Sequence, residues 1–438
     1  MNPDVLHAKQ LYETGRFDEA AQLCRGILAR NPQDSEANHL LGLIFYRQGQ
    51  NRMAADFLQR AVASGSATAR MYSNLGAVLN ALGDLGGAVT AYRRAIERDP
   101  ANPWPLNNLG VLYRTAGQTE EAIEAFRRAI AVKPDFADAQ INLRLIYSAI
   151  VPQWHFAMMN DRHRNDAFEA AIRRAVAGKR VLEIGTGAGL LAMIAADAGA
   201  ARVDSCEAVG VIARQASDIV AKNGFADRVR IIPKRSTDLV VGRDLPARAE
   251  VLISETFSSN LLDEGILPSI EHAHRDLLTG NAITIPAAAS AMGFLIGGAP
   301  GEMLFVDRIK GFDFSSFNEF APPRLVVPLD GIAHEALSED AELLRFDLSQ
   351  REFPMQGREV IIPANRSGIC YGVAQWIRLD LDSATQYSNR PVVGGQNSHW
   401  PNIIYRFAKP ISVSAGGMVR VLARHDRAEI NVDLLGAG

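Results

Sequence analysis

Apolar residues over the first 136 positions recur at helical spacing inside a longer period of 34 residues. Gly15, Gly49, Gly83 and Gly117 keep that interval, and Ala20, Ala54, Ala88 and Ala122 follow five residues after each glycine. Gly42, Gly76 and Gly110 hold another register, and Pro32, Pro100 and Pro134 a fourth, with Ser66 in the remaining slot. A helix–turn–helix unit explains each position. Small residues let two antiparallel helices approach, a glycine ends the first helix and a proline closes the second. Phe45, Tyr92, Tyr113 and Phe126 supply bulk between helices, and a further helix over 137–149, with Leu143 and Tyr147 on the next register, caps the stack. From residue 181 short apolar runs alternate with helical stretches: 181–184, 202–206, 229–232 and 251–254 read as strands, and 190–198, 209–223 and 266–278 as helices. That alternation predicts a parallel sheet with crossover helices, an α/β doubly wound domain. After Pro286 the helical period is lost, and runs at 324–328, 360–363, 372–379 and 418–423 predict strands of an all-β barrel or sandwich. The chain therefore reads as multidomain: an all-α solenoid over 1–150, the α/β domain over 151–288 and a β-barrel-like domain over 289–438.

Composition narrows the setting. The 438 residues suffice for two or three domains with real cores. With 46 basic and 49 acidic side chains the net charge is −3, which recruits neither nucleic acid nor an acidic membrane surface. Cys24, Cys206 and Cys370 are far apart and match no metal-ligand spacing, so no metal and a reduced, cytoplasmic protein are expected. No signal-peptide pattern opens the chain, and no run approaches the ~18 uncharged apolar residues of a membrane span.

Two features carry chemistry. The first is the glycine-rich turn Val-Leu-Glu-Ile-Gly-Thr-Gly-Ala-Gly over residues 181–189. Gly185 and Gly187 fall in the first strand-to-helix turn, where such sheets bind ligands, with Glu183 two residues ahead. Glu207 ends the next strand, twenty residues after Gly187, where a carboxylate can accept hydrogen bonds from two ribose hydroxyls. The spacing is G-x-G-x-G rather than G-x-G-x-x-G, and nothing demands a pyrophosphate cradle, so S-adenosylmethionine fits better than NAD. The second feature is Ser-Glu-Thr-Phe-Ser-Ser-Asn-Leu-Leu-Asp-Glu-Gly over 254–265, which sets Glu255 and Glu264 nine residues apart. Taken singly, one reads as a strand-end acid and the other as a loop acid. Together, after this turn, they can grip a planar cation with several N–H donors, which describes a guanidinium. Asp263 reads as solvated, and His163, His272 and His274 as surface or packing residues.

These residues carry two resemblances. The 34-residue pattern resembles the tetratricopeptide repeat family, four units being covered, whose members bind peptides or protein segments. From about residue 152 to 288 the chain resembles the catalytic core of the protein arginine methyltransferases, with a Rossmann-like fold. Five ordered blocks carry the likeness: residues 155–165, the turn at 183–189, Glu207, the Glu255/Glu264 loop, and Ser398-His-Trp400, similar to the family's Thr-His-Trp loop. Asn223-Gly-Phe and the stretch at 267–274 are similar to branches that make monomethyl or symmetric dimethyl products.

The resemblance implies that Arg164 pairs with the cofactor carboxylate and His155 lies beside it. Gly185 and Gly187 would approach the cofactor, Glu207 would hold its ribose, and Ser236 and Thr237 would touch the adenine. Many relatives carry a glutamate at the Thr237 position. Trp154 and Phe156 stand nearest to the family's aromatic cover, and Phe156 and Trp400 are expected against the substrate. Glu255 and Glu264 would polarise the arginine, and either a glutamate or His399 paired with Asp161 would receive its proton. The implied partners are arginine-containing proteins or peptides, a homodimer built by an arm near 305–325, and a protein held by the repeats. The implied by-product is S-adenosylhomocysteine. Two alternatives stay open: methylation of a small guanidino or amino metabolite, and a repeat scaffold whose methyltransferase-like domain binds cofactor without turnover.

Overall fold

The computed structural model describes residues 3–63, 65–151, 154–392 and 398–438; at Trp154 only the backbone is described. The chain forms two compact units, Met1–Pro152 and Gln153–Gly438.

The first unit is a stack of helical hairpins: α1 (Pro3–Glu13), α2 (Phe17–Arg30), α3 (Ser35–Arg47), α4 (Asn51–Ala63), α5 (Ala69–Ala81), α6 (Leu85–Arg98), α7 (Pro103–Thr115), α8 (Thr119–Val132) and α9 (Ala137–Ile150). The period follows from packing. A Cβ on Gly42, Gly76 or Gly110 would stand 2.6–2.8 Å from Leu58, Tyr92 or Phe126 on the partner helix, so those positions admit no side chain. Ala20, Ala54, Ala88 and Ala122 are fully buried for the same reason. Asp34, Thr68 and Asp84 cap α3, α5 and α6 by accepting from the N–H three residues on.

The second unit opens with α10 (Trp154–Met159) and α11 (Arg162–Ala175), then winds β1 (Arg180–Ile184), α12 (Leu190–Asp197), β2 (Arg202–Cys206), α13 (Gly210–Lys222), β3 (Val229–Ile232), β4 (Ala249–Ser254), α14 (Ile266–His272) and β5 (Leu278–Ile285). The strands run parallel in the order β3-β2-β1-β4-β5. The winding reverses between β1 and β4, so the crevice at their carboxyl ends is the expected binding site. Val181, Leu182, Val251, Leu252 and Ile253 are buried and lock this pair of strands into the core.

One helix differs from the reading of the sequence. The stretch 266–278 does not run as one helix: α14 stops at His272, a wider π-turn covers Ala273–Leu277, and Leu278 already begins β5. Exposed Gly280 and Asn281 break the alternation of β5, which conceals it as a strand.

The remainder is antiparallel. Seven strands (288–298, 324–327, 334–336, 341–347, 368–380, 386–388 and 402–413) form one sheet, and 356–363, 418–425 and 430–437 form a second. One hydrophobic core runs from the α/β sheet through Ile285, Leu295, Val373, Ile377 and Val421. A smaller cluster of Met292, Phe294, Ile296, Trp376 and Ile404 covers the other face, so strand 368–380 is apolar on both sides. Residues 308–313 make a separate two-stranded hairpin followed by a 3-10 turn, leaving Phe312, Phe317 and Phe320 more than 60% exposed. Among the described residues no helix is long and apolar enough to cross a membrane.

Candidate active site

Parallel pairing of β1 with β4 sets Ile184 opposite Ser254, so the glycine turn and Glu255 leave adjacent strands side by side. Gly185 has φ +86°, and a Cβ there would meet Thr256 Cγ2 at 2.4 Å, so both conformation and space exclude a side chain. A Cβ on Gly187 would stand 3.5 Å from His155 Nε2, which places that imidazole against the turn. Glu207 accepts the Gly187 N–H at 3.1 Å and the Val209 N–H at 2.9 Å. Its carboxylate is thereby fixed at the mouth of the crevice with lone pairs to spare. Beneath, Glu183 is buried and accepts from Ser205 Oγ, which lies 2.5 Å from Thr186 Oγ1. Burial pushes the Glu183 carboxyl up to about 8 against the Ser205 hydrogen bond and the Arg164 charge, so it is largely protonated at neutral pH.

Glu255 is buried, and its Oε2 pairs with Arg164 Nη2. Burial raises its carboxyl; Arg164 first, then His399, oppose the rise. Among the described residues no second donor reaches Glu255, so one oxygen is left for another N–H. Arg164 also donates to Asn165 Oδ1 at 2.7 Å and rests over the Phe168 ring at 5.3 Å, while its buried Nε has no partner among the described residues.

Glu264 stands at the open side of the same acids. Its carboxyl is pushed up to about 7, first by enclosure and then by the charges of Glu255, Asp263 and Glu207. No cation pairs with it among the described residues, although the residue as a whole keeps access to water beside its enclosed carboxyl. An acid whose ionisation is held back by enclosure and by neighbouring carboxylates is primed for an incoming cation.

The third side is a hydrogen-bonded knot. Asp161 caps α11 by accepting the Arg164 N–H at 2.9 Å through Oδ1. Its Oδ2 accepts from Tyr387 Oη and from His399 Nδ1, both at 3.0 Å. Burial alone would raise this carboxyl, but the bonds from His399, the Arg164 N–H and Tyr387 hold it down at about 2. His399 Nε2 is buried without a partner among the described residues. Trp400 packs on His399 at 4.0 Å between ring centroids and donates its indole N–H to Phe257 C=O at 2.9 Å, tying this loop to the acid loop.

The structure thus gathers His155, Asp161, Arg164, Gly185, Gly187, Glu207, Glu255, Glu264 and His399 around one crevice. Glu183 lies under its floor. Ser236 is buried and Thr237 exposed in a 3-10 turn after β3, and Phe156 is 62% exposed. The side chain of Trp154 lies outside the described residues. His163 packs on Tyr387 at 5.3 Å, and His274 bonds the Leu348 carbonyl at 2.9 Å. Tyr387 escaped the sequence reading, because a lone tyrosine on a three-residue strand carries no motif. Among the described residues no group of three or more His, Cys, Asp or Glu could hold a metal.

Tetratricopeptide repeat models match residues 5–67 and 67–135. The chain is 39% identical over 271 residues to an arginine N(omega)-methyltransferase of Streptomyces achromogenes, covering 61% of this chain and 74% of that one. It is 31% identical over 323 residues to protein arginine N-methyltransferase 7 of Drosophila grimshawi, with 63% of this chain and 46% of the relative, so it spans about half of that length. Two solved structures share the fold. One is the Trypanosoma brucei PRMT1 enzyme–prozyme complex with AdoHcy, with TM-score 0.57, 23% identity and coverage of 66% of this chain and 95% of that one. The other is Arabidopsis thaliana protein arginine methyltransferase 10, with TM-score 0.53, 21% identity and coverage of 61% and 86%.

Proposed function

The chain belongs to the protein arginine methyltransferase family and carries tetratricopeptide repeats, and from that premise we propose that it methylates a guanidinium nitrogen of arginine in protein or peptide substrates. The observation that carries the reading is the acid crevice at the β1/β4 switch point. Glu255 already holds one guanidinium, that of Arg164, and Glu264 faces the same space with its ionisation suppressed first by enclosure and then by the neighbouring acids.

The residues fit S-adenosylmethionine. Gly185 leaves the room a side chain would fill, Glu207 presents a fixed carboxylate for the ribose, and the unpartnered buried Nε of Arg164 suits a cofactor carboxylate. His155, beside Gly187, would border the same end, and Ser236 and Thr237 the adenine. When bound, the cofactor supplies a methyl group on a sulfonium and leaves as S-adenosylhomocysteine.

An arginine guanidinium, with pKa above about 12, is a poor nucleophile while its charge is delocalised. The free oxygen of Glu255 and the carboxylate of Glu264 accept its N–H groups and aim one nitrogen. Positioning and fixed charge then supply most of the rate. The nitrogen that gains a methyl loses a proton, and Glu264, whose carboxyl lies near 7, can hold it at neutral pH. His399, oriented through Nδ1 by Asp161, can carry it onward.

The finer reading is a monomethyl or symmetric dimethyl product, with the repeats selecting substrate or partner. The β-rich part from about residue 289 corresponds to the family's barrel. The exposed phenylalanines of 312–320 suit a homodimer arm, since apolar area of that kind is costly in water. Three buried free thiols favour a reducing, cytoplasmic setting. A second reading, methylation of a free guanidino metabolite, draws support from the similarity to the Streptomyces arginine N(omega)-methyltransferase. Mass spectrometry of reactions with arginine peptides and with free L-arginine separates the two. Methylarginine in peptides supports the first, methylated free arginine alone supports the second, and no methylarginine in either rejects both.

A further inference from the structure

Glu264 sits ten residues past the end of β4, on a loop whose shape its own backbone barely determines. Its backbone makes two short turns, Leu261 N–H to Ser258 C=O and Gly265 N–H to Leu262 C=O, and the Asn260 N–H donates to Ser258 Oγ at 3.1 Å. Between them Leu261 takes φ +77°, a left-handed conformation rare for a side-chain-bearing residue and one that persists where the surroundings impose it. Those surroundings are polar and buried. Asn260, 1% exposed, places Oδ1 on the Ile430 N–H at 2.8 Å, and donates through Nδ2 to Ile430 C=O at 3.2 Å and Tyr405 Oη at 3.1 Å. The Asn260 amide thus mimics a strand neighbour at the start of strand 430–437. Tyr405 has one proton and two acceptors within reach, Gln375 Oε1 at 2.9 Å and Ile430 C=O at 3.0 Å. Gln375 Nε2 returns to the loop by donating to Ser259 C=O at 2.9 Å. The bonds close a ring: loop carbonyl, Gln375, Tyr405, Asn260 and loop again. Every member has a partner, and the ring lies where an unmet polar group would be costly.

We propose that Asn260, Gln375 and Tyr405 are positioning residues that hold the acid loop so that Glu264 faces Glu255. The inference rests on the reading of that loop as a guanidinium clamp, and the anchoring itself can be observed without turnover. Glu255 is fixed separately by Arg164, and Phe257 by Trp400, so the ring acts on the far half of the loop.

The test uses the full chain with Tyr405→Phe, which removes one hydroxyl and keeps the ring packed, alongside Asn260→Leu. Val419→Ala, at the opposite end of the 418–425 strand from the loop contact, serves as a control for general destabilisation. Three quantities are measured well below the melting temperature: hydrogen exchange of residues 255–266, kcat and KM for an arginine peptide, and the Kd of S-adenosylhomocysteine. Tyr405→Phe should raise loop exchange while β1 and β2 stay unchanged. It should lower kcat about tenfold to a hundredfold, the cost of a misplaced reacting group, and leave the Kd within about twofold. Equal loop exchange in Tyr405→Phe and Val419→Ala would overturn the anchoring. Faster exchange with unchanged kcat in an active enzyme would overturn the positioning role. If the wild type makes no methylarginine, the clamp reading fails, whereas the exchange result still decides whether the ring holds the loop.

Discussion

Replacing Glu264 by glutamine should erase the acid side of the pH–rate profile. The carboxyl of Glu264 lies near 7 because enclosure and three neighbouring acids oppose its ionisation. A group with its pKa at 7 is about one-eleventh ionised at pH 6 and about ten-elevenths at pH 8. If the carboxylate form seats the guanidinium, kcat/KM falls about tenfold as pH drops from 8 to 6. The sign follows from the direction of the shift: a raised acid is ionised above its pKa, so activity is present above 7 and lost below it. Glutamine cannot ionise, so the limb should vanish. The level should also drop by the worth of a charge-assisted hydrogen bond, about 1.5–3 kcal/mol, or about 10- to 150-fold. By linkage the raised carboxyl works against folding at pH values where it is ionised, so at pH 8 the glutamine variant should melt no lower than the wild type. The assay is initial-rate production of S-adenosylhomocysteine from about pH 5.5 to about pH 9. A flat wild-type profile, or a glutamine variant that keeps the tenfold limb, would refute the assignment.

Other perturbations read different parts of the site. Arg164→Met strands the buried Glu255 carboxylate, which should cost about 3–5 kcal/mol in urea denaturation, more at high pH than at low pH where the acid can protonate. Asp161 is held at about 2, so its contribution is full above the ordinary carboxylate value and lost as pH falls through 2; acid denaturation should show about 2 kcal/mol of pH-dependent stability that Asp161→Asn lacks. Gly185→Ala puts a Cβ into Thr256 at φ +86°, so titration calorimetry should show S-adenosylhomocysteine binding weakened about tenfold or more.

The parts legible in the sequence are those whose physics is periodic or local. Gly42, Gly76 and Gly110 are glycine because Leu58, Tyr92 and Phe126 occupy the space, and that requirement repeats in every hairpin. Gly185 and Glu207 stand out because a strand-to-helix turn and the next strand end are fixed by short-range spacing. Glu255 was readable as a clamp residue; its seat on Arg164, which the resemblance assigns to the cofactor, was not, because that pair joins residues 91 apart. The apolar period of α14 continues through the π-turn to Leu278, so spacing alone overruns the end of the helix at His272. Asn260, Gln375 and Tyr405 belong to no motif in the sequence. Their meaning comes from contacts up to 170 residues apart, which no local pattern encodes.

The most direct test of a two-acid guanidinium clamp is calorimetry, in the presence of S-adenosylhomocysteine, of two peptides that differ at a single side chain: arginine or its uncharged isostere citrulline. Arginine should bind more tightly by about tenfold or more, the worth of a charged hydrogen-bonded contact, and Glu255→Gln should largely abolish the preference. Equal affinity of wild-type protein for the two peptides would contradict the clamp.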